Sequence, residues 1–426
     1  MRHCRGYVAF LLCLAAYSAT GEPLSLSNAL KMAKLRNGGV ASSRFQADRA
    51  RAEARSAFGS LLPSLTPSVT YQTGNTKQDT GTRASSNNLA SSTAVTLSLP
   101  ILDNGTRYLK LSAARHTADA QQSTYVNDLR QLLLNVHLQF FAALQAEETL
   151  KVQQTQLARA KAILAETEAR VEAGNEAAKQ VFQAKADLLN AEVSVLTSES
   201  AVTTNRETLF ATIGLDEENP ENTIAAIERP SEAQTTPLPP AAISDALVVR
   251  PDLIAIRKRI SAAKENVTIA KMAGAVEFSL DAQWRKNFSR DVFRSSQIAL
   301  TATVPLFDGG RSRESVRAQQ DNVKALEASL KQAERSARSE IISTSLELQQ
   351  NAKRLVVANA AFEAAKVNFD AASESRRLGA GTLLEVITAQ LSLTTAESNL
   401  VQARYDYLSS KVRFDVATGK PIEGEE

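Results

Sequence analysis

The sequence repeats itself, and the repeat limits what the chain can fold into. Residues 94–115, AVTLSLPILDNGTRYLKLSAAR, return as residues 299–320, ALTATVPLFDGGRSRESVRAQQ. Pro100 aligns with Pro305, Asp103 with Asp308 and Gly105 with Gly310, at an offset of 205 residues that holds without a gap as far as Gly214 and Gly419. Self-similarity over such a distance marks a tandem duplication, so one supersecondary unit has been built twice. Each copy is an alternating apolar and polar run that stops at a proline and passes through an Asp-Gly turn into a very long helical pattern. A strand therefore hands the chain to a helix, twice.

The chain is long enough for two or three compact domains, but the duplication favours one architecture made of two related halves. A formal charge of +3 over 426 residues is too small and too dispersed to suggest nucleic acid as a partner. At the N-terminus Arg2 and Arg5 precede an apolar segment, Tyr7 to Ala16, followed by the small residues Ser18, Ala19 and Gly21. That is the form of a secretory signal peptide over 1–21, with cleavage after 18 or 21, and it is too short to span a bilayer. Its removal takes away both cysteines, Cys4 and Cys13, and leaves a formal charge of +1. A thiol-free mature chain suits an oxidising envelope compartment. Leu11-Leu12 before Cys13 does not fit a lipid-modified cysteine. No later stretch approaches the roughly 18 consecutive apolar residues of a transmembrane helix, so any membrane crossing must be made by strands.

The first repeat is expected over 22–214 and the second over 242–426, joined by a Pro-rich connector at 215–241. Ser27 is read as the N-cap of a short helix, and an Ala- and Arg-rich helix follows from Val40 to Gly59. Strands are predicted over 64–73, 94–101, 277–286 and 297–306, and the Asn-, Ser- and Thr-rich stretch 73–92 reads as a solvated loop. Arg250-Pro-Asp-Leu253 begins a helix with proline in its first turn.

Long helices are predicted over 104–172 and 310–377. At 1.5 Å per residue each would be about 100 Å long. Their apolar residues step by threes and fours and then by sevens, as in Leu150, Leu157, Leu164 and Val171 and in Leu348, Leu355, Phe362 and Phe369. These are coiled-coil spacings, which require partners along the whole helix. Gly174 and Gly379 fit C-cap reversals. Return helices over 176–213 and 382–418 carry their own heptads, so each half contains an antiparallel helical hairpin with its tip far from the strands.

Four amphipathic strands of bilayer-crossing length cannot close a barrel, and open edges are not tolerated in lipid. Several chains must therefore share one. Two would give a barrel filled by side chains, and three would give twelve strands around a lumen. The fold class is α+β: a trimeric, 12-stranded transmembrane barrel continued by a coiled-coil helical barrel.

This constellation resembles the TolC family, the outer-membrane exit ducts of tripartite efflux pumps and type I secretion systems. The resemblance rests on the two tandem halves, the strand pair in each, the junctions Pro100–Gly105 and Pro305–Gly310, and the segments Gly174–Ala184 and Gly379–Ala389. Arg250-Pro-Asp-Leu253 looks like the drug-efflux branch. What the resemblance implies is a homotrimer in the outer membrane lipid of a Gram-negative-type cell, with most of the chain in the periplasm. It implies docking onto a periplasmic adaptor protein and an inner-membrane transporter of RND or ABC type, and opening by untwisting of helix pairs at the tip. A protein-secretion duct of the same fold is the alternative, and a trimeric coiled-coil stalk or adhesin is the alternative from another class.

The resemblance also assigns residues. Gly174, Gly379 and Gly381 fall at the adaptor-docking tip, although the first two also read simply as C-caps. Glu385 and Thr388 occupy the two positions where the family gate carries acidic rings, so only one carboxylate ring would remain. An exposed helix charge is the plainer reading of Glu385. Where the family latches its gate this chain has Arg376, Gly381, Lys179 and Gln180, so a Lys179–Glu385 or Arg376–Gln180 contact is expected as a substitute. Trp284, the only tryptophan, sits in a predicted membrane strand, where an interfacial belt position or plain packing both fit. His116 and His137 are read as surface residues. No nucleophile-base pair, phosphate-binding Gly loop or metal-ligand cluster is legible, so neither an enzyme nor a cofactor is expected.

Overall fold

A computed structural model describes residues 24–78, 84–215, 225, 240–288 and 293–425. The signal-peptide reading and nearly all of the Pro-rich connector lie outside these residues. Along the chain come α1 (Leu26–Arg36), α2 (Gly38–Gly59), β1 (Ser64–Gln78), β2 (Ala84–Leu102), α3 (Thr106–Glu172) and α4 (Lys179–Ile213). They are followed by α5 (Pro240–Val249), α6 (Pro251–Met272), β3 (Glu277–Asn287), β4 (Phe293–Thr303), α7 (Arg311–Arg377) and α8 (Leu383–Ala417). The duplication shows in the lengths: α3 and α7 both have 67 residues, and α4 and α8 both have 35.

The chain divides into two compact units. Among the described residues, one comprises those within 1–36, 135–233 and 355–406, and the other those within 37–134, 234–354 and 407–426. In the second unit the four strands form one antiparallel sheet in the order β1-β2-β3-β4, leaving β1 and β4 as edges. The expected loop at 73–92 is largely strand, because Thr73 pairs with Leu89 and Gln78 with Ala84. Backbone hydrogen bonds hold that ladder together and require no apolar face. β4 ends at Thr303, short of the expected 306, before Pro305, which has no N–H to give to a ladder. Pro100 lies inside β2 opposite Ser279, and the register shifts between it and Leu102.

Helices around the sheet are tied in sequence. Ala50 and Ala54 of α2 pack on Ala118 of α3. Ser112 of α3 donates to Glu265 of α6 at 3.0 Å, and Lys264 of α6 pairs with Glu327 of α7 at 3.2 Å. The short α5 was hidden by its prolines. It is seated where Ala246 meets Ile341 of α7 and Ala417 of α8. As expected for proline in a first turn, Pro251 opens α6, while Arg250 behind it bonds Asp252 at 3.0 Å and Glu340 at 2.7 Å. Arg130 on α3 is paired with Glu425 and donates to the Gly419 carbonyl at 3.2 Å, which fastens the end of the described chain.

In the other unit, parts of α3, α7 and α8 pack with α1 and α4. The buried core includes Ile163, Ala184, Leu383 and Val386. Half-buried ion pairs cross between helices, Arg159 to Glu397 at 2.9 Å, Arg206 to Glu147 at 2.6 Å and Arg404 to Glu148 at 3.0 Å. α1 is capped by Ser25, whose Oγ accepts from the Asn28 N–H at 3.2 Å, and not by Ser27. The two histidines are not surface residues: His137 in this unit is 3% exposed and edge-on to Phe141, and His116, in the sheet-bearing unit, is half-buried, because the packed stripe of each helix segment covers them.

Candidate functional site at the helical tips and the strand-helix collar

The tips are built by two reversals of the same kind. Gly174 has φ 75° and Gly379 has φ 80°. The Asn175 N–H reaches the Arg170 carbonyl at 2.9 Å and the Gly174 N–H reaches Val171 at 3.0 Å. In copy two Ala380 reaches Ser375 and Gly379 reaches Arg376, both at 2.9 Å. Each is a Schellman reversal, in which the left-handed residue is glycine because a Cβ there would be strained.

Beside these turns sits the most buried cation among the described residues. Arg376 is 1% exposed. Its Nη2 donates to Thr167 Oγ1 at 2.8 Å and to the Glu176 carboxylate at 3.2 and 3.3 Å. Its Nε lies 3.8 Å from Glu166, close enough for charge attraction but not for a hydrogen bond. Nε and Nη1 make no hydrogen bond among the described residues. The Arg376 carbonyl accepts from Arg170 Nη2 at 2.7 Å. One residue at the end of α7 is thereby fixed to α3 and to the copy-one turn. A buried guanidinium whose carboxylate partner is removed costs about 3–5 kcal/mol, so the arrangement stands or falls as a set.

Two turns into α8, Gln390 is 1% exposed in the face α8 turns toward α4. Its Nε2 donates to Asp187 at 3.4 Å, while its Oε1 and the Thr394 hydroxyl make no hydrogen bond among the described residues. Burial pushes the Asp187 carboxyl up from its ordinary range, and the hydrogen bond from Gln390 only partly opposes it.

At the N-terminal ends of α3 and α7, the repeated Asp-x-Gly stretch caps both long helices. Asp103 accepts from the Gly105 N–H at 3.2 Å and the Arg107 N–H at 2.9 Å, and Asp308 accepts from Gly310 at 2.9 Å and Ser312 at 2.8 Å. Only copy one adds a guanidinium: Arg107 Nε bonds Asp103 at 2.8 Å, and its other nitrogens reach the carbonyls of Ser60 and Pro100. Burial works to raise Asp103, but the bonds from the Arg107 amide and guanidinium and from Gly105 outweigh it and hold the carboxyl below its usual range. For Asp308 the bonds from Ser312 and Gly310 lower it.

Strand pairs, duplicated hairpins, glycine tips and capped collars have a counterpart among known proteins: the family described as outer membrane efflux protein matches residues 29–215 and again 242–420. The chain belongs to that family. The efflux protein is 23% identical over 429 residues to outer membrane protein TolC of Escherichia coli, covering 96% of this chain and 85% of the relative. It is 25% identical over 328 residues to TolC of Vibrio cholerae, with 73% of each chain covered. The fold matches the solved outer-membrane channel OprN with a TM-score of 0.82 at 20% identity, covering 93% of this chain and 90% of that one. CusC matches with the same TM-score at 17% identity, covering 93% and 92%. The protein is therefore an outer-membrane exit duct of an efflux system whose long helices lie in the periplasm.

Within this efflux protein the expected tip residues fall as follows. The expected Arg376–Gln180 contact is absent, because Arg376 turns to Thr167 and Glu176 instead. Lys179 and Glu385 are both exposed and form no ion pair with each other. Glu385 accepts from the Thr382 N–H at 2.9 Å while its own N–H reaches Thr382 Oγ1 at 3.3 Å, a reciprocal capping box that starts α8. Thr388 is exposed, and its carbonyl accepts from Ser392. Gly381 has ordinary φ but no room, since a Cβ there would stand 2.9 Å from the Arg376 amide nitrogen. Thr167, Glu176, Asp187 and Gln390 were not singled out from the sequence. A polar residue at a heptad core position, as at Gln390, was the one signal available.

Proposed function

We propose that this efflux protein works as a homotrimer whose three four-stranded sheets close one 12-stranded barrel. The trimer passes small molecules from a periplasmic adaptor and an inner-membrane transporter to the outside. The observation that carries this reading is the sheet itself. Its edge strands β1 and β4 are unpaired within the chain, and an unpaired edge is not stable in lipid. Each chain must find its missing neighbours in other copies. Efflux of small molecules is supported by relatives such as the pyoverdine export outer membrane protein OpmQ of Pseudomonas putida, 26% identical over 294 residues. In a strain lacking its own exit ducts, expression of this chain with a matching adaptor and transporter is expected to lower accumulation of a fluorescent efflux substrate. A chain recovered as a soluble monomer that leaves accumulation unchanged would sink the proposal.

The duct opens at the periplasmic tip, and Arg376 is the residue that holds it shut. Its hydrogen bonds join the last turn of α7 to α3 and to the turn after Gly174, so the second hairpin cannot swing from the first while they persist. Lys179, Gln180 and Thr388 are not part of this lock. Glu385 has two roles in the reading: it caps α8 and, in the trimer, forms a ring of three carboxylates where a cation can block flow. Gly174, Gly379 and Gly381 shape the surface on which the adaptor docks.

A further inference from the structure

We propose that the periplasmic end of the sheet carries a collar that recognises anionic phospholipid headgroups of the inner leaflet of the outer membrane. Four helix ends meet the sheet there. α2 ends at Gly59 before β1, α3 starts at Thr106 after β2, α6 ends at Met272 before β3, and α7 starts at Arg311 after β4. They are held to one another: Arg107 reaches the Ser60 carbonyl at 3.3 Å, and Asn104 Nδ2 donates to the Val276 carbonyl at 2.8 Å. Leu102 pairs with Phe278 and Glu277 with Thr303, so these ends lie at one level.

Two features of that level point to lipid. In the single chain large apolar side chains stand uncovered there, with Phe58 51%, Tyr108 67%, Leu306 93% and Phe307 91% exposed. Just beyond them, within five residues of the helix ends, Arg55, Lys110, Lys271, Arg311 and Arg313 are exposed, and no carboxylate pairs with any of them among the described residues. Most acids close by are already engaged, since Asp103 and Asp308 cap helices, Glu265 accepts from Ser112 and Glu314 lies 4.0 Å from Arg317, which leaves Glu277 as an exposed carboxylate against five cations. Apolar and aromatic residues at the edge of the hydrocarbon, followed at headgroup depth by unpaired cations, complement a leaflet with phosphate-bearing, negatively charged lipids. A neutral zwitterionic leaflet offers phosphates but no net negative charge to offset this excess of cations.

The inference rests on the outer-membrane placement of the strands, and the test separates the two. Purified full-length protein is placed in nanodiscs of phosphatidylcholine or of phosphatidylcholine with phosphatidylglycerol. The phospholipid retained per oligomer after detergent release is then measured by native mass spectrometry. Phosphatidylglycerol is expected to be retained about fivefold over phosphatidylcholine, the size of effect a surface cation produces. That preference should fall as salt rises. A variant with Arg55→Gln, Lys110→Gln, Lys271→Gln, Arg311→Gln and Arg313→Gln should insert but lose the preference, while Arg317→Gln with Lys324→Gln, further along α7, should keep it. Equal retention of the two lipids by an inserted wild-type protein would overturn the inference and leave the placement intact. So would abolition of the preference by inorganic phosphate at matched ionic strength. Failure to insert into either nanodisc would overturn both. The comparison of lipids and of salt needs no variant, so misfolding of the fivefold substitution does not protect the idea.

Discussion

Four aspartates and one arginine show how environment divides residues of the same kind. Asp103 and Asp308 have the same duplicated job, but only Asp103 also holds a guanidinium, in a pair with side chains 16% and 15% exposed. Asp308→Ala removes a cap and should cost about 1 kcal/mol. Asp103→Ala also strands Arg107, so the temperature at which the oligomer dissociates should fall further than for Asp308→Ala; equal falls would show that Arg107 adds nothing. The signs with pH differ as well. Asp103 has a folded pKa below its unfolded value, so its contribution is complete above about pH 4 and is lost as pH drops through the folded value. Asp187 and Asp415 are raised by burial, against a weaker opposing pull from Gln390 in one case and from Lys420 and Lys411 in the other. Their charged forms carry a penalty that disappears as pH falls through their folded values. Acidification toward the ordinary aspartate value of about pH 4 should therefore raise hydrogen-exchange protection around Asp187, and Asp187→Asn should abolish that rise. Protection that falls equally in both proteins would reverse the sign assigned here.

Elements follow from the duplication where a periodic pattern carries them, and escape it where backbone carries them. The long helices were legible because a heptad stripe over 67 residues has no other explanation. The outer parts of β1 and β2 were not, because Ser, Thr and Asn there give no alternation although Thr73 through Gln78 are paired with Leu89 through Ala84. α5 was masked by the prolines before it, although Pro240 is a suitable first residue for a helix. The glycine tips were legible, but the lock beside them was not. Thr167, Glu176 and Arg376 are brought together by three separate segments, and nothing in their spacing marks them as partners. The two copy-two glycines also separate by mechanism. Gly379→Ala should fray the α7 end by about 1 kcal/mol, since its φ of 80° is left-handed. Gly381→Ala should instead displace the Arg376 segment its Cβ would strike, exposing Thr167. Hydrogen exchange resolved to the Thr167 turn of α3 should increase in Gly381→Ala and stay unchanged in Gly379→Ala.

At the scale of the whole molecule the protein is an outer-membrane exit duct that one chain cannot complete. Its open sheet needs other copies, and its hairpin tips carry the proposed Arg376 lock. Single-channel conductance in planar lipid bilayers tests both together. Purified wild-type protein is expected to insert as a detergent-resistant oligomer with a small conductance, blocked from the tip side by multivalent cations. Arg376→Ala should raise that conductance severalfold, and Glu385→Lys should remove the cation block. A wild-type protein that never conducts would contradict the duct. A conductance unchanged by Arg376→Ala would contradict the lock.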